Sequence, residues 1–256
     1  MNHVQHASSD GHVIVENARG QSCIVIVCEH ASSYIPEIYK NLGMRDADLL
    51  SHAAWDPGAI DVARGISSRL DARLVASGVS RLVYDCNRPP SAMDAMPTQS
   101  ETIKIPRNAD LTADQRRERA DLYYTPFRDQ LAKTIAATAQ PVIVTIHSFT
   151  PVYNGQARSV EIGIVHDTDT RLADIMLKLA PDHTRANVLR NAPYGPEHGV
   201  THTLREHAIK AGHLTVMIEI RNDLIQTVEQ QNKMADTLSK WLTESLQKLT
   251  STKEAQ

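Results

Sequence analysis

Aromatic residues are scarce in this chain: two Phe, two Trp and seven Tyr among 256 residues. A core built from large rings is therefore excluded, and the interior must be aliphatic. The 41% hydrophobic content is enough to build one at this length, which suits one large α/β domain. Cysteine is as rare. Cys23, Cys28 and Cys86 form no C-x-x-C pair, which excludes a disulfide framework and a cysteine zinc knot and suits a reduced, cytoplasmic protein. No excess of one charge exists either. Lys and Arg total 27, Asp and Glu 30, a formal net charge of −3, so nothing draws the chain toward nucleic acid. The longest apolar runs, Ile24–Cys28 and Val142–Ile146, fall far short of the ~20 residues a membrane helix needs. "MNHVQHASSDGHVIVENARG" is polar and lacks the apolar core of a signal peptide. Also missing are a phosphate loop, a G-x-G-x-x-G fingerprint, a G-x-S-x-G elbow and an H-E-x-x-H helix. Nucleotide binding, serine hydrolysis and a standard zinc helix are disfavoured accordingly.

What remains is an alternation of short apolar runs with longer amphipathic ones. Strands are expected at Cys23–Cys28, Arg73–Ala76, Arg81–Cys86, Val142–Ile146, Val160–Val165, Ala186–Leu189 and Leu214–Ile220. Helices are expected near Pro57–Leu70, Ala113–Ala139, Thr170–Ala180, Thr201–Ala211 and Leu224–Leu249, the last repeating its apolar residues at close to 3.6. Such alternation predicts an α/β protein with a mostly parallel sheet covered on both faces. No repeat or linker divides it, so one domain over residues 1–256 is expected, loosely ordered at 1–20 and 250–256. "PPSAMDAMPTQSETIKIPRN" (Pro89–Asn108) is long, Pro-punctuated and weakly periodic, as lid or substrate loops are.

In open α/β sheets ligands bind outside the carboxyl ends of the strands. Four runs end in chemistry there. "CIVIVCEH" delivers Glu29 and His30. "RLVYDCNRPP" delivers Asp85, Asn87 and Arg88. "PVIVTIHS" delivers His147, and "LTVMIEIRND" carries Glu219 and Arg221 inside the run. His30 and His147 are either turn and packing residues or ligands. Glu219, between Ile218 and Ile220, is costly to desolvate and must be paired or shifted in pKa; Arg221 is one available partner. Arg88 offers a planar fork for a carboxylate or for an internal Asp. Two histidines and a carboxylate with an open position are a catalytic zinc set, although the spacing here matches no standard zinc motif. His3, His6 and His12 read as incidental. His198 falls in a loop, His202 is a second-layer candidate and His207 reads as helix surface.

"CEHASSYIPE", "HAAWDPGA", "SRLVYDCNRPP", "TIHSFTP" and "MIEIRNDL", in one order from Cys28 to Leu224, together resemble the N-formylglutamate amidohydrolase family. More broadly the chain resembles zinc carboxypeptidases and aspartoacylase-type deacylases. That resemblance implies a three-layer sandwich with a mixed, mostly parallel, zinc-carboxypeptidase-like sheet. It implies zinc on His30 and His147, with Glu219 as general base and Asn87 with Arg88 holding a substrate carboxylate. One departure stands out. The carboxylate expected three residues after the first His is replaced by Ser33, so Asp56 is the candidate third ligand, with Glu29 and His52 in reserve. Asp56 is equally placed to cap the helix at Pro57. The oxyanion arginine is Arg81 or Arg221. The expected activity is hydrolysis of an N-formyl or N-acyl amino acid, N-formyl-L-glutamate first. A deacylase or peptidase on another N-acyl compound and a non-catalytic binding protein are the alternatives. The partner is a small anionic substrate, with no nucleic acid or membrane; no oligomeric state follows from the sequence.

Overall fold

The run "VIVTIHSF" (Val142–Phe149) is buried at all eight positions, as a central strand covered on both faces must be. It is β4 of a seven-stranded sheet in a computed structural model that describes residues 12–254. The other strands are β1 (Val13–Glu16), β2 (Ile24–Cys28), β3 (Arg73–Ser77), β5 (Ile162–Val165), β6 (Val188–Arg190) and β7 (Leu214–Arg221). Their spatial order is β1-β3-β2-β4-β7-β5-β6. Only β1 on β3 and β5 on β7 pair antiparallel; the other neighbours are parallel. The sheet is mixed and mostly parallel, as expected.

Even-numbered side chains of the central strands, such as Ile26, Val144 and Ile218, pack under α1 (Ala59–Leu70), α4 (Arg171–His183) and α6 (Val228–Glu254). In α6, Ala235, Leu238, Trp241 and Leu242 form the apolar stripe, and Trp241 donates its indole N–H to the Met176 carbonyl. Odd-numbered side chains, such as Val25, Val27 and Ile143, face the opposite layer. There they meet Phe127, Leu131 and Ile135 of α3 (Thr125–Ala136), which continues from α2 (Ala113–Arg119) through a π turn at Ala120–Tyr124. Helices on both faces make three layers. Each fully buried Val or Ile contributes roughly 1.5–3 kcal/mol, so the register is strongly fixed. A one-residue slip would carry His147 and Glu219 to the wrong face.

Three expectations need correction. Arg81–Cys86 is a chain of turns, with Val83 N–H bonded to the Ser80 carbonyl and Asp85 N–H to the Ala95 carbonyl. It is buried like a strand, and a short apolar run carries no sign of which it is. Residues 13–16, inside the stretch expected to be loosely ordered, form edge strand β1. At the other end α6 runs on to Glu254. His3 and His6 lie outside the described residues. The Pro89–Asn108 segment holds a small hairpin, Gln99–Ser100 against Ile103–Lys104, pinned by buried Ala95, Met96 and Ile105. No helix among the described residues is long and apolar enough to cross a membrane.

Candidate active site

Parallel pairing places Glu219 of β7 directly beside His147 of β4, and antiparallel pairing places Gly163 of β5 beside Glu219. His147 and Glu219 therefore point to one face from neighbouring strands. His30 follows β2 after Glu29. Asp56 precedes α1, its backbone N–H bonded to the His30 carbonyl. It does not cap that helix, whose N-cap is Gly58. Its carboxylate turns inward instead and accepts the Ser148 backbone N–H at 3.2 Å.

Three donor atoms converge. Asp56 Oδ2 lies 3.2 Å from His30 Nδ1 and 2.9 Å from His147 Nδ1, and the two Nδ1 atoms are 3.2 Å apart. All three residues are buried. Behind them, His30 Nε2 donates to Asp85 Oδ1 at 2.7 Å. His147 Nε2 stands 3.1 Å from Glu29 Oε2, within ion-pair reach but off hydrogen-bond alignment. With a cation held between them, each Nε2 would keep its proton toward the carboxylate behind it and each Nδ1 would present a lone pair inward. A tetrahedral zinc with bonds of about 2.0–2.1 Å sets its donors roughly 3.3 Å apart. The observed spacing and the carboxylate behind each imidazole fit such an ion.

Charge points the same way. Burial alone would raise the Asp56 carboxyl, but His30 and His147 hold it well below the usual range. Asp85 is lowered likewise against its burial, by His30 and Arg81. Burial would lower His147, yet Glu29 and Asp56 hold it well above its ordinary value. The Asp56 and Asp85 carboxylates are thus held ionised against their burial. Burial pushes the Glu219 carboxyl up to about 7, with His147 opposing and Asp56 reinforcing; its Oε2 has no partner among the described residues.

These groups floor a cavity of about 320 Å³. Arg81 reaches into it, with Nη1 3.4 Å from Asp56 Oδ1 and Nη2 3.1 Å from Asp85 Oδ2. Asn87 and Arg88 also line it, both already engaged. Asn87 donates to the Val200 carbonyl and accepts from Thr203 N–H, at the start of α5 (His202–His207). Arg88 donates to Asp94 and to the Asn87 and Gly199 carbonyls. Arg221 is not brought to the cavity. It ends β7 and pairs with Glu161 and Asp223, which removes it from the oxyanion choice and from a bridge to Glu219. His52 lies at the rim, 3.2 Å from Glu101 and apart from the three donors. His202 bonds the Tyr124 hydroxyl. His207 ends α5 half-buried, and burial pushes it down to about 4. Sequence reasoning gave no role to Asp85 or Tyr194. The first stood in plain view beside Asn87; the second, on a loop after β6, carried no signal.

The sequence profile of N-formylglutamate amidohydrolases matches residues 22–226. The chain belongs to that family. Among solved structures, a gene product of Agrobacterium tumefaciens shares 51% identity over 93% of this chain and 96% of its own, with a TM-score of 0.91. An N-formylglutamate amidohydrolase from Ralstonia eutropha shares 14% identity over 93% of this chain and 99% of its own, with a TM-score of 0.60, a likeness of fold. No curated protein sequence matches significantly. All four strand-end motifs lie inside the stretch that matches the amidohydrolase profile.

Proposed function

We propose that this amidohydrolase cleaves the amide bond of an N-formyl or N-acyl amino acid, N-formyl-L-glutamate foremost, giving formate and L-glutamate. His30, Asp56 and His147 would hold zinc; the mutual spacing of their donor atoms carries the reading. When bound, zinc polarises an amide carbonyl and lowers the pKa of water to about 7. Glu219, buried and ending at the same cavity, takes a proton from the attacking water and returns it to the departing amine. Its place beside His147 in the register supports that role. Arg81 presents a cation next to the donors, suited to charge developing on the carbonyl oxygen. Asn87 and Arg88 hold one substrate carboxylate. Asp94, 60% exposed at its side chain, occupies Arg88 as an exchangeable stand-in for it. The Gln99–Lys104 hairpin, with Gln99, Ser100 and Glu101 on the cavity wall, sets its length.

The test is formate release from N-formyl-L-glutamate before chelation, after it, and after zinc is returned. Loss and recovery support metal and substrate together. No formate from zinc-loaded protein discards formylglutamate and directs the search to longer acyl groups.

A further inference from the structure

N-formyl-L-glutamate carries two carboxylates, and the Asn87–Arg88 clamp accounts for one. The arginines in and near the cavity differ in how they are neutralised. Arg81 pairs with Asp56 and Asp85, Arg88 with Asp94, and Arg221, outside it, with Glu161 and Asp223. Arg158 is different. No carboxylate among the described residues lies within ion-pair distance of it. It is held by three rings instead, its Cζ 5.5 Å from the Phe149 centroid, 4.6 Å from Tyr153 and 5.0 Å from Tyr194. One guanidinium N–H bonds the Thr150 carbonyl at 3.2 Å and another the Tyr194 hydroxyl at 2.8 Å. Phe149, Thr150, Tyr153 and Tyr194 all line the cavity.

The hydroxyl's position has a direct chemical consequence. A tyrosine hydroxyl has one proton to donate and lone pairs to accept. Arg158 uses a lone pair, and the O–H meets no acceptor among the described residues. Its proton is left for whatever enters the cavity. A cation bonded to the oxygen strengthens that donor toward an anion, and the ring cage keeps the cation in place without a carboxylate to cancel it. We propose that Tyr194, with Arg158 behind it as a positioning residue, receives the second carboxylate of the substrate and makes the site selective for dicarboxylic N-acyl amino acids. This rests on the substrate reading above.

The test compares N-formyl-L-glutamate with N-formyl-L-glutamine, which has the same shape without the second charge. Wild-type enzyme, Tyr194→Phe, Arg158→Gln and Arg158→Lys are assayed on both. The expected result is a wild-type preference for the glutamate compound that falls about tenfold or more in Tyr194→Phe and Arg158→Gln. The loss is carried in KM, and Arg158→Lys recovers part of it. Tyr194→Phe keeps the ring cage, so folding does not obscure the outcome. Equal losses on both compounds, carried in kcat, would place Tyr194 at the reacting carbonyl and overturn the assignment. Calorimetric binding of L-glutamate and L-glutamine to the same proteins reads the discrimination without turnover. A protein that hydrolyses neither compound but binds L-glutamate through Tyr194 loses the substrate reading and keeps this one. A wild type that binds both equally loses this one.

Discussion

Glu219, the base in the proposed reaction, is also a burden on the metal-free fold. Its ordinary pKa is 4.5, and burial pushes it to about 7 in the folded chain. Between those values the folded state holds a proton that the unfolded state releases. Stability from this group is therefore present below about pH 4.5 and lost as pH rises through about 7. Glu219→Gln should make the chelated protein more stable than wild type at pH 8, by roughly 1–3 kcal/mol, with little gain at pH 5. Urea unfolding at the two pH values checks this. In the same variant turnover should fall by about 10²–10⁴ while zinc stays bound; if the zinc is lost, Glu219 is a ligand and not the base. Asp85 acts at one remove, fixing the ring of His30. Asp85→Asn should weaken zinc binding about 10- to 100-fold, read by competition with a coloured chelator. The convergence of His30, His147 and Glu219 on one cavity was legible because polar groups at the ends of apolar runs are conspicuous. The contact of Asp85 with His30 was not, because a partner to an imidazole is a fact of three dimensions.

At the level of elements, the strand ends were read well and the connections poorly. Arg81–Cys86 looked like a strand because burial selects the same residues in a turn, and β1 is too short to show alternation. The close approach at Gly163 was equally invisible. A Cβ added at Gly163 would stand 1.8 Å from the Ala192 carbonyl oxygen and 3.2 Å from Glu219 Cβ. The absence of a side chain there lets the loop that carries Tyr194 lie against β5. Gly163→Ala should cost about 1–3 kcal/mol through overpacking and reduce kcat by displacing Glu219. Thermal melting and steady-state kinetics check both. A variant with unchanged melting and activity would show that β5 is not pressed against that loop.

On the scale of the molecule, the site joins residues 30, 56, 147 and 219, so an ion held there ties distant parts of the chain together. At a zinc concentration about a hundred times its Kd, the gain is about 2.7 kcal/mol, or roughly 5–10 °C in Tm for a chain of this size. His147→Ala should abolish the increment, as differential scanning with and without chelator would show. Alternating elements predicted a layered α/β fold. They could not predict that β5 reverses against β7, because strand direction depends on which neighbour a returning chain finds.

β4 has one more property that matters before the protein is finished. It is buried on both faces, and its partner on one side is β7, a strand made more than sixty residues later. Until the ribosome has delivered Leu214–Arg221, this strand, buried at all eight positions in the finished fold, is an open edge, the kind of surface on which nascent chains aggregate. Chains that terminate early, before β7, are consequently candidates for chaperone capture and degradation, even though His30, Asp56 and His147 have already been synthesised.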